Sequence, residues 1–128
     1  MKQNNVKPAE GKLGILVVGN GAVATTFMTG VLMTRKGLTK PIGAMTQYDK
    51  IRVGKGADKK YLHYKDIVPM TELKDIVFGC WDVYPQNAYQ SAMYCEVLKE
   101  KDIYPVKDEL EQIVPMKAAF DKNYAKRL

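Results

Sequence analysis

Residues 12–37 read KLGILVVGNGAVATTFMTGVLMTRKG, and the change of period inside this stretch decides the fold. Leu13 to Val18 is a short apolar run containing β-branched residues and closed by Gly19, which predicts a buried strand. The period then becomes helical. Val23, Phe27 and Val31 recur at every fourth position with Ala24, Met28 and Leu32 beside them, the stripe of a helix laid on a sheet. Arg35 and Lys36 stand where a helix C-terminus is partially negative, and Gly37 supplies a left-handed residue to end it. The stretch is a strand, a tight glycine turn and a helix.

The turn has the spacing G-x-G-x-x-A. Gly19 lets the chain leave the strand sharply, Gly21 removes a side chain so that a ligand can approach the backbone, and Ala24 keeps helix and strand close. Free N–H groups and the positive end of the helix dipole then face a pyrophosphate, as in a dinucleotide cradle. Such a fingerprint usually carries an acidic residue roughly 20 positions further on, at the end of the second strand, to hold a ribose. The matching segment, GAMTQYD, offers Thr46 and Gln47 there, with Asp49 beyond. Asp82 is the alternative, either as a ligand contact at the carboxyl edge of the sheet or as a carboxylate that caps a turn or helix.

Outward from the turn, KPIGAMTQYDKIRVG suggests a second strand around Ile42 to Thr46, followed by a polar loop. Ile76, Val77 and Phe78 form a third apolar run that ends at Gly79, with Trp81 and Asp82 just past it. Asn87 to about Lys99 is helical, with Ala88, Ala92, Cys95 and Leu98 on one side. Pro105 and Pro115 punctuate the rest, where VKDELEQI and MKAAFDKNYAKR read as short surface helices. The expected fold is α/β and Rossmann-like, a partly parallel sheet flanked by helices, incomplete as a dinucleotide-binding domain. It comprises a polar leader over residues 1–12 and a partial binding domain over residues 13–128.

Composition narrows the classes. With 46% hydrophobic and 27% charged residues, the 128-residue chain is expected to fold as one globular domain. Apolar runs such as Ile15 to Val18 fall far short of the roughly 20 residues that cross a bilayer, and MKQNNVKPAEGK lacks the apolar core of a secretory signal, so a cytoplasmic location is expected. The net charge of +6 is spread over interleaved lysines without a basic-aromatic motif, which argues against nucleic acid as partner. Cys80 and Cys95 have no CxxC spacing and His63 has no second ligand type nearby, so no metal site is expected; the cysteines read as buried thiols and His63 as a surface or loop residue.

The segments GNGAVATT, GAMTQYDKIRVG, DIVPM, DIVFGCWDV and NAYQSAM, in this order, resemble the amino-terminal part of the inositol-3-phosphate synthase family, also called myo-inositol-1-phosphate synthase. GAMTQ and GCWD are similar to that family's Gly-Ser-x-Thr-Gln and Gly-Gly-Trp-Asp signatures, with Cys80 in place of the second glycine. The resemblance implies NAD as cofactor and an isomerase that turns glucose 6-phosphate into inositol 3-phosphate by oxidation, aldol closure and reduction, in inositol and phospholipid biosynthesis. It implies Gly19, Asn20, Gly21, Ala22 and Val23 as the pyrophosphate loop and Asp82 on the adenosine side of NAD. It also implies a homo-oligomer, a tetramer in full-length members. Those members are several times longer, and their catalytic lysines and sugar-phosphate site fall beyond this chain, which is expected to be inactive alone with no catalytic residue to assign. A small non-enzymatic dinucleotide-binding or regulatory module, and a fragment of another oxidoreductase, are the competing readings.

Overall fold

A computed structural model describes residues 7–8 and 10–121. Strand β1 spans Leu13–Val18 and helix α1 spans Ala22–Arg35, so the β-turn-α unit stands where the change of period puts it. The helix stop is also as the sequence predicts. Gly37 has φ of 70°, its N–H donates to Thr34 O at 3.0 Å, and the N–H of Leu38 donates to Met33 O at 3.0 Å. These are the two reversed bonds with which a left-handed residue closes a helix. Only part of the predicted stripe is covered: Ala24, Met28, Val31 and Leu32 are buried, while Val23 is 86% exposed and Phe27 meets solvent on one side.

The strand paired with β1 is β4, Ile76–Asp82, parallel and in register from Leu13 opposite Ile76 to Val18 opposite Trp81. It runs past Gly79 to include Trp81 and Asp82, which the sequence placed beyond its end. Glycine does not terminate the strand because it serves cross-strand packing: a Cβ there would lie 2.9 Å from Leu16 Cδ2. β5, Met116–Lys117, pairs parallel with the end of β4, giving a sheet of order β1-β4-β5. The predicted helix over MKAAFDKNYAKR is thereby corrected for its first two residues, and residues 118–121 are not helical; the remainder lies outside the described residues. VKDELEQI does form a helix, α6, Lys107–Glu111, preceded by α5, Glu100–Ile103.

Between α1 and β4 the chain makes an excursion that is not part of this sheet. No strand forms at Ile42 to Thr46. Pro41 has no N–H to donate, the N–H of Ala44 closes a turn onto Pro41 O at 2.9 Å, and α2 follows as Met45–Tyr48. β2, Lys50–Val53, then pairs antiparallel with β3, Lys60–His63, in a separate two-stranded sheet, and α3 spans Tyr64–Ile67. None of these four elements contains a buried residue. His63 is half-buried at the end of β3, where its backbone N–H donates to Asp66 at 3.1 Å.

Helix α4 spans Ala88–Cys95, four residues shorter at its C-terminal end than the expected span, because Glu96 turns left-handed with φ of 53°. It lies against α1, with Ala24, Ala88 and Ala92 small enough to let the two helices approach. Met28, Leu32, Cys80, Ile103, Val106 and Leu110 complete the core. Burying a side chain such as that of Met28 stabilises by about 2 kcal/mol. β1, α1, β4, α4 and α6, and β5 follow one another as one βαβαβ half, with the helices on a single face. On the opposite face, among the described residues, Leu16 is 60% and Val18 85% exposed. Of the two predicted buried thiols, Cys80 is fully enclosed and Cys95 is only half-buried.

Candidate dinucleotide site

The carboxyl ends of β1 and β4 meet a single cleft, and the backbone at its floor is dictated by glycine. Gly19 has φ of +96°, a conformation L side chains rarely adopt, and its N–H donates to Trp81 O at 2.8 Å, adding a last rung to the parallel pair. Gly21 is the N-cap of α1, with φ of −89°, and accepts the first helical bond from Thr25 N–H at 3.0 Å. No side chain caps this helix and no acidic residue stands in its first turn. The N–H groups of Ala22, Val23 and Ala24 have no intrahelical acceptor, and the helix dipole adds partial positive charge at the same place.

Asn20 ties this loop to the one after β4. It is 2% exposed; its N–H donates to Asp82 Oδ2 at 2.5 Å, its Nδ2 donates to Gln86 O at 3.0 Å, and its carbonyl accepts the hydroxyl of Ser91. Asp82 Oδ1 accepts the N–H of Tyr84 at 3.0 Å, so one carboxylate joins two turns. Burial pushes the Asp82 pKa up, but the N–H groups of Tyr84, Asn20 and Val83 outweigh it and hold the carboxyl below its ordinary value. The anion is therefore the form present at neutral pH.

The cleft has a volume of about 660 Å³, within the range of small-molecule sites. Gly19, Asn20, Gly21 and Asp82 line it, as the sequence leads one to expect, together with Tyr84, Gln86, Ser91, Tyr94 and Cys95, which it did not single out. Ala22 and Val23 do not reach this cleft; they line a shallower apolar depression on the free-edge side of β1, shared with Gly19, Gly21 and Phe27. The structure shows Asn87 as the N-cap of α4, and an Asn at that point soon after the strand is the signal that could have placed the helix's first turn at the sheet edge.

Two observations fit a pyrophosphate group at this loop. A Cβ on Gly19 or Gly21 would meet nothing within 4 Å, so the space above the backbone is open. The α1 N-terminus is uncapped. Asn20 Oδ1 is buried without a hydrogen-bond partner; as an acceptor it suits a hydroxyl or N–H donor and not the phosphate oxygens. Asp82 sits at the end of the second parallel strand, where a ribose acid belongs. It lies 62 residues beyond Asn20 rather than about 20 because the excursion separates α1 from β4. Among the described residues no group of three or more His, Cys, Asp or Glu is placed to hold a metal ion.

A βαβαβ half with an uncapped helix N-terminus over two glycines and an acid at the end of the second strand defines a dinucleotide-binding unit. The chain belongs to the myo-inositol-1-phosphate synthase family: the profile of that family's NAD-binding domain matches residues 13–128, and NAD is the cofactor of the family. It is 60% identical over 129 aligned residues to inositol-3-phosphate synthase 1 of Bacteroides thetaiotaomicron, covering all of this chain and 29% of that protein. To inositol-3-phosphate synthase 1 of Oryza sativa subsp. japonica it is 31% identical over 125 residues, covering 88% of this chain and 25% of the relative. The crystal structure of inositol-3-phosphate synthase from Caenorhabditis elegans has the same fold, with a TM-score of 0.77 at 23% identity over 94% of this chain and 27% of that one. The chain thus spans less than a third of the length of these relatives.

Proposed function

We propose that this chain binds NAD as the amino-terminal cofactor-holding part of an inositol-3-phosphate synthase. The observation that carries the reading is the uncapped N-terminus of α1 at Gly21, facing the same cleft as Asp82, within a family match that runs from β1 to residue 128. Gly19, Asn20 and Gly21 would present backbone to the pyrophosphate, Ala22 and Val23 would add the first free N–H groups of the helix, and Asp82 would accept from the adenosine ribose. The bound cofactor would supply hydride acceptance and return.

The enzyme to which such a part contributes would convert glucose 6-phosphate to inositol 3-phosphate, for inositol and phospholipid biosynthesis, as a cytoplasmic homo-oligomer. The support is the identity to the bacterial and plant synthases. No helix among the described residues is long and apolar enough to cross a membrane. The chain spans 29% of the bacterial relative's length, so the groups that act on the sugar would be supplied by the part it does not cover. The chain alone would hold cofactor without turnover. A non-enzymatic module with the same turn would share the binding and not the reaction.

Calorimetric titration with NAD and NADP tests the reading. One NAD per chain is expected, with NADP weaker because its 2′-phosphate would meet the ionised Asp82. Absence of NAD binding, or preference for NADP, would refute it.

A further inference from the structure

Ser91 belongs to no dinucleotide fingerprint, and the first turn of α4 is complete without it. Asn87 Oδ1 accepts the N–H of Gln90 at 2.9 Å, and Gln90 Oε1 accepts the N–H of Asn87 at 3.2 Å. A helical serine commonly turns its hydroxyl back to the carbonyl four residues earlier. Here that carbonyl, Asn87 O, takes the Ser91 N–H at 2.9 Å, and the hydroxyl instead crosses to Asn20 O, 71 positions away in sequence.

The acceptor gives this bond its consequence. Asn20 C=O and Gly21 N–H belong to one planar trans peptide, so they point in opposite directions. Holding the carbonyl toward α4 sets the direction of the Gly21 N–H away from it. The preceding peptide is fixed in the same way, by Asp82 on the Asn20 N–H. Both flanking residues are glycine, which leaves the backbone the most rotational freedom available to a chain. A loop free to rotate would lose that freedom on each binding event, and a loop already held does not.

We propose that Ser91 is a positioning residue for the cofactor loop: its hydroxyl sets the plane of the Asn20–Gly21 peptide and so aims the Gly21 N–H at the pyrophosphate. The proposal rests on the reading of the loop as an NAD cradle. It assigns Ser91 no contact with the reacting atoms.

Ser91→Ala and Ser91→Thr test it, with NAD, ADP and adenosine as ligands and amide exchange of Asn20 followed without ligand. Ser91→Ala is expected to weaken NAD and ADP by about fivefold to tenfold and leave adenosine unchanged, since only the first two carry the pyrophosphate. Asn20 amide exchange is expected to rise in the same variant, and Ser91→Thr, which keeps the hydroxyl, to match the wild type in every reading. Equal losses for all three ligands, or a Thr variant as impaired as Ala, would overturn the proposal and mark Ser91 as a packing residue. If the wild type binds no NAD, the cradle reading falls, while the exchange measurement still decides whether Ser91 orders the loop; unchanged exchange would overturn that too.

Discussion

Replacing Gly21 with valine should separate binding from folding. The residue has φ of −89° and a Cβ there meets nothing within 4 Å, so the side chain is accommodated without strain. At the N-cap, loss of glycine costs a few tenths to about 1 kcal/mol, and the reduced freedom of the unfolded chain returns about 0.4–1 kcal/mol. The stability change should fall within about 1 kcal/mol. The ligand meets a different situation, because the side chain enters the space from which a pyrophosphate would reach the N–H groups of the loop. Two charge-assisted bonds at about 1.5 kcal/mol each amount to about 3 kcal/mol, more than a hundredfold in Kd. Gly19→Ala should do the converse. Its φ of +96° makes any side chain cost about 1–2 kcal/mol in folding. Denaturant unfolding alongside NAD titration of both variants gives the two numbers. A Gly21→Val protein that binds NAD as tightly as the wild type would refute the reasoning.

Asp82→Asn replaces one acceptor oxygen by an amide that faces a backbone N–H donor, so one of the bonds from Asn20 or Tyr84 is lost and Tm should fall by an amount equivalent to about 1 kcal/mol at pH 7. Because the folded carboxyl lies below its ordinary value, the anion's contribution is fully present above about pH 4 and disappears as pH falls through the depressed value, so the two proteins should converge in acid; a constant difference would contradict the carboxylate's role. Cys80 is enclosed, and burial, with the charge of Asp82 behind it, raises its thiol pKa, whereas half-buried Cys95 lines the cleft; one thiol should react quickly with a mild alkylating reagent, and saturating NAD should slow it. Modification of Cys80 first, or no protection by NAD, would count against the site. Light scattering should show mass rising with concentration, because among the described residues no strand pairs with the free edge of β1 and Leu16 and Val18 are bare; Val18→Lys should reduce it, and a monomer at every concentration would contradict that reading.

How far sequence reasoning reached depended on whether each signal was local. The β1-turn-α1 unit was legible because its change of period, its paired glycines and the Gly37 stop all lie within 26 residues of one another. The strand at Ile76–Phe78 was legible, but its place beside β1 was not. Ile42 to Thr46 is as apolar as a strand, but strand identity was decided by the register of β1 with Ile76–Asp82, a long-range pairing that leaves no local mark. For the same reason a rule of about 20 residues for the ribose acid pointed to Thr46 and Gln47, while the excursion had carried the strand end to Asp82. β5 lies in a stretch whose Ala118 and Ala119 favour helix, and pairing with Trp81 and Asp82 overrode that preference. Gln86, Ser91 and Tyr94 reach the cleft only through the packing of α4 on α1, made possible by three alanines whose pattern indicates a buried helix and nothing more.

The placement of the cofactor is tested most directly by following the backbone amide resonances of the chain during titration with NAD. The account predicts shifts concentrated at Gly19 to Ala24 and at Asp82 to Gln86, the two loops joined by Asn20, with β2 and β3 unchanged. Saturable shifts centred on the Lys50–Val53 and Lys60–His63 hairpin, with the glycine loop silent, would contradict it.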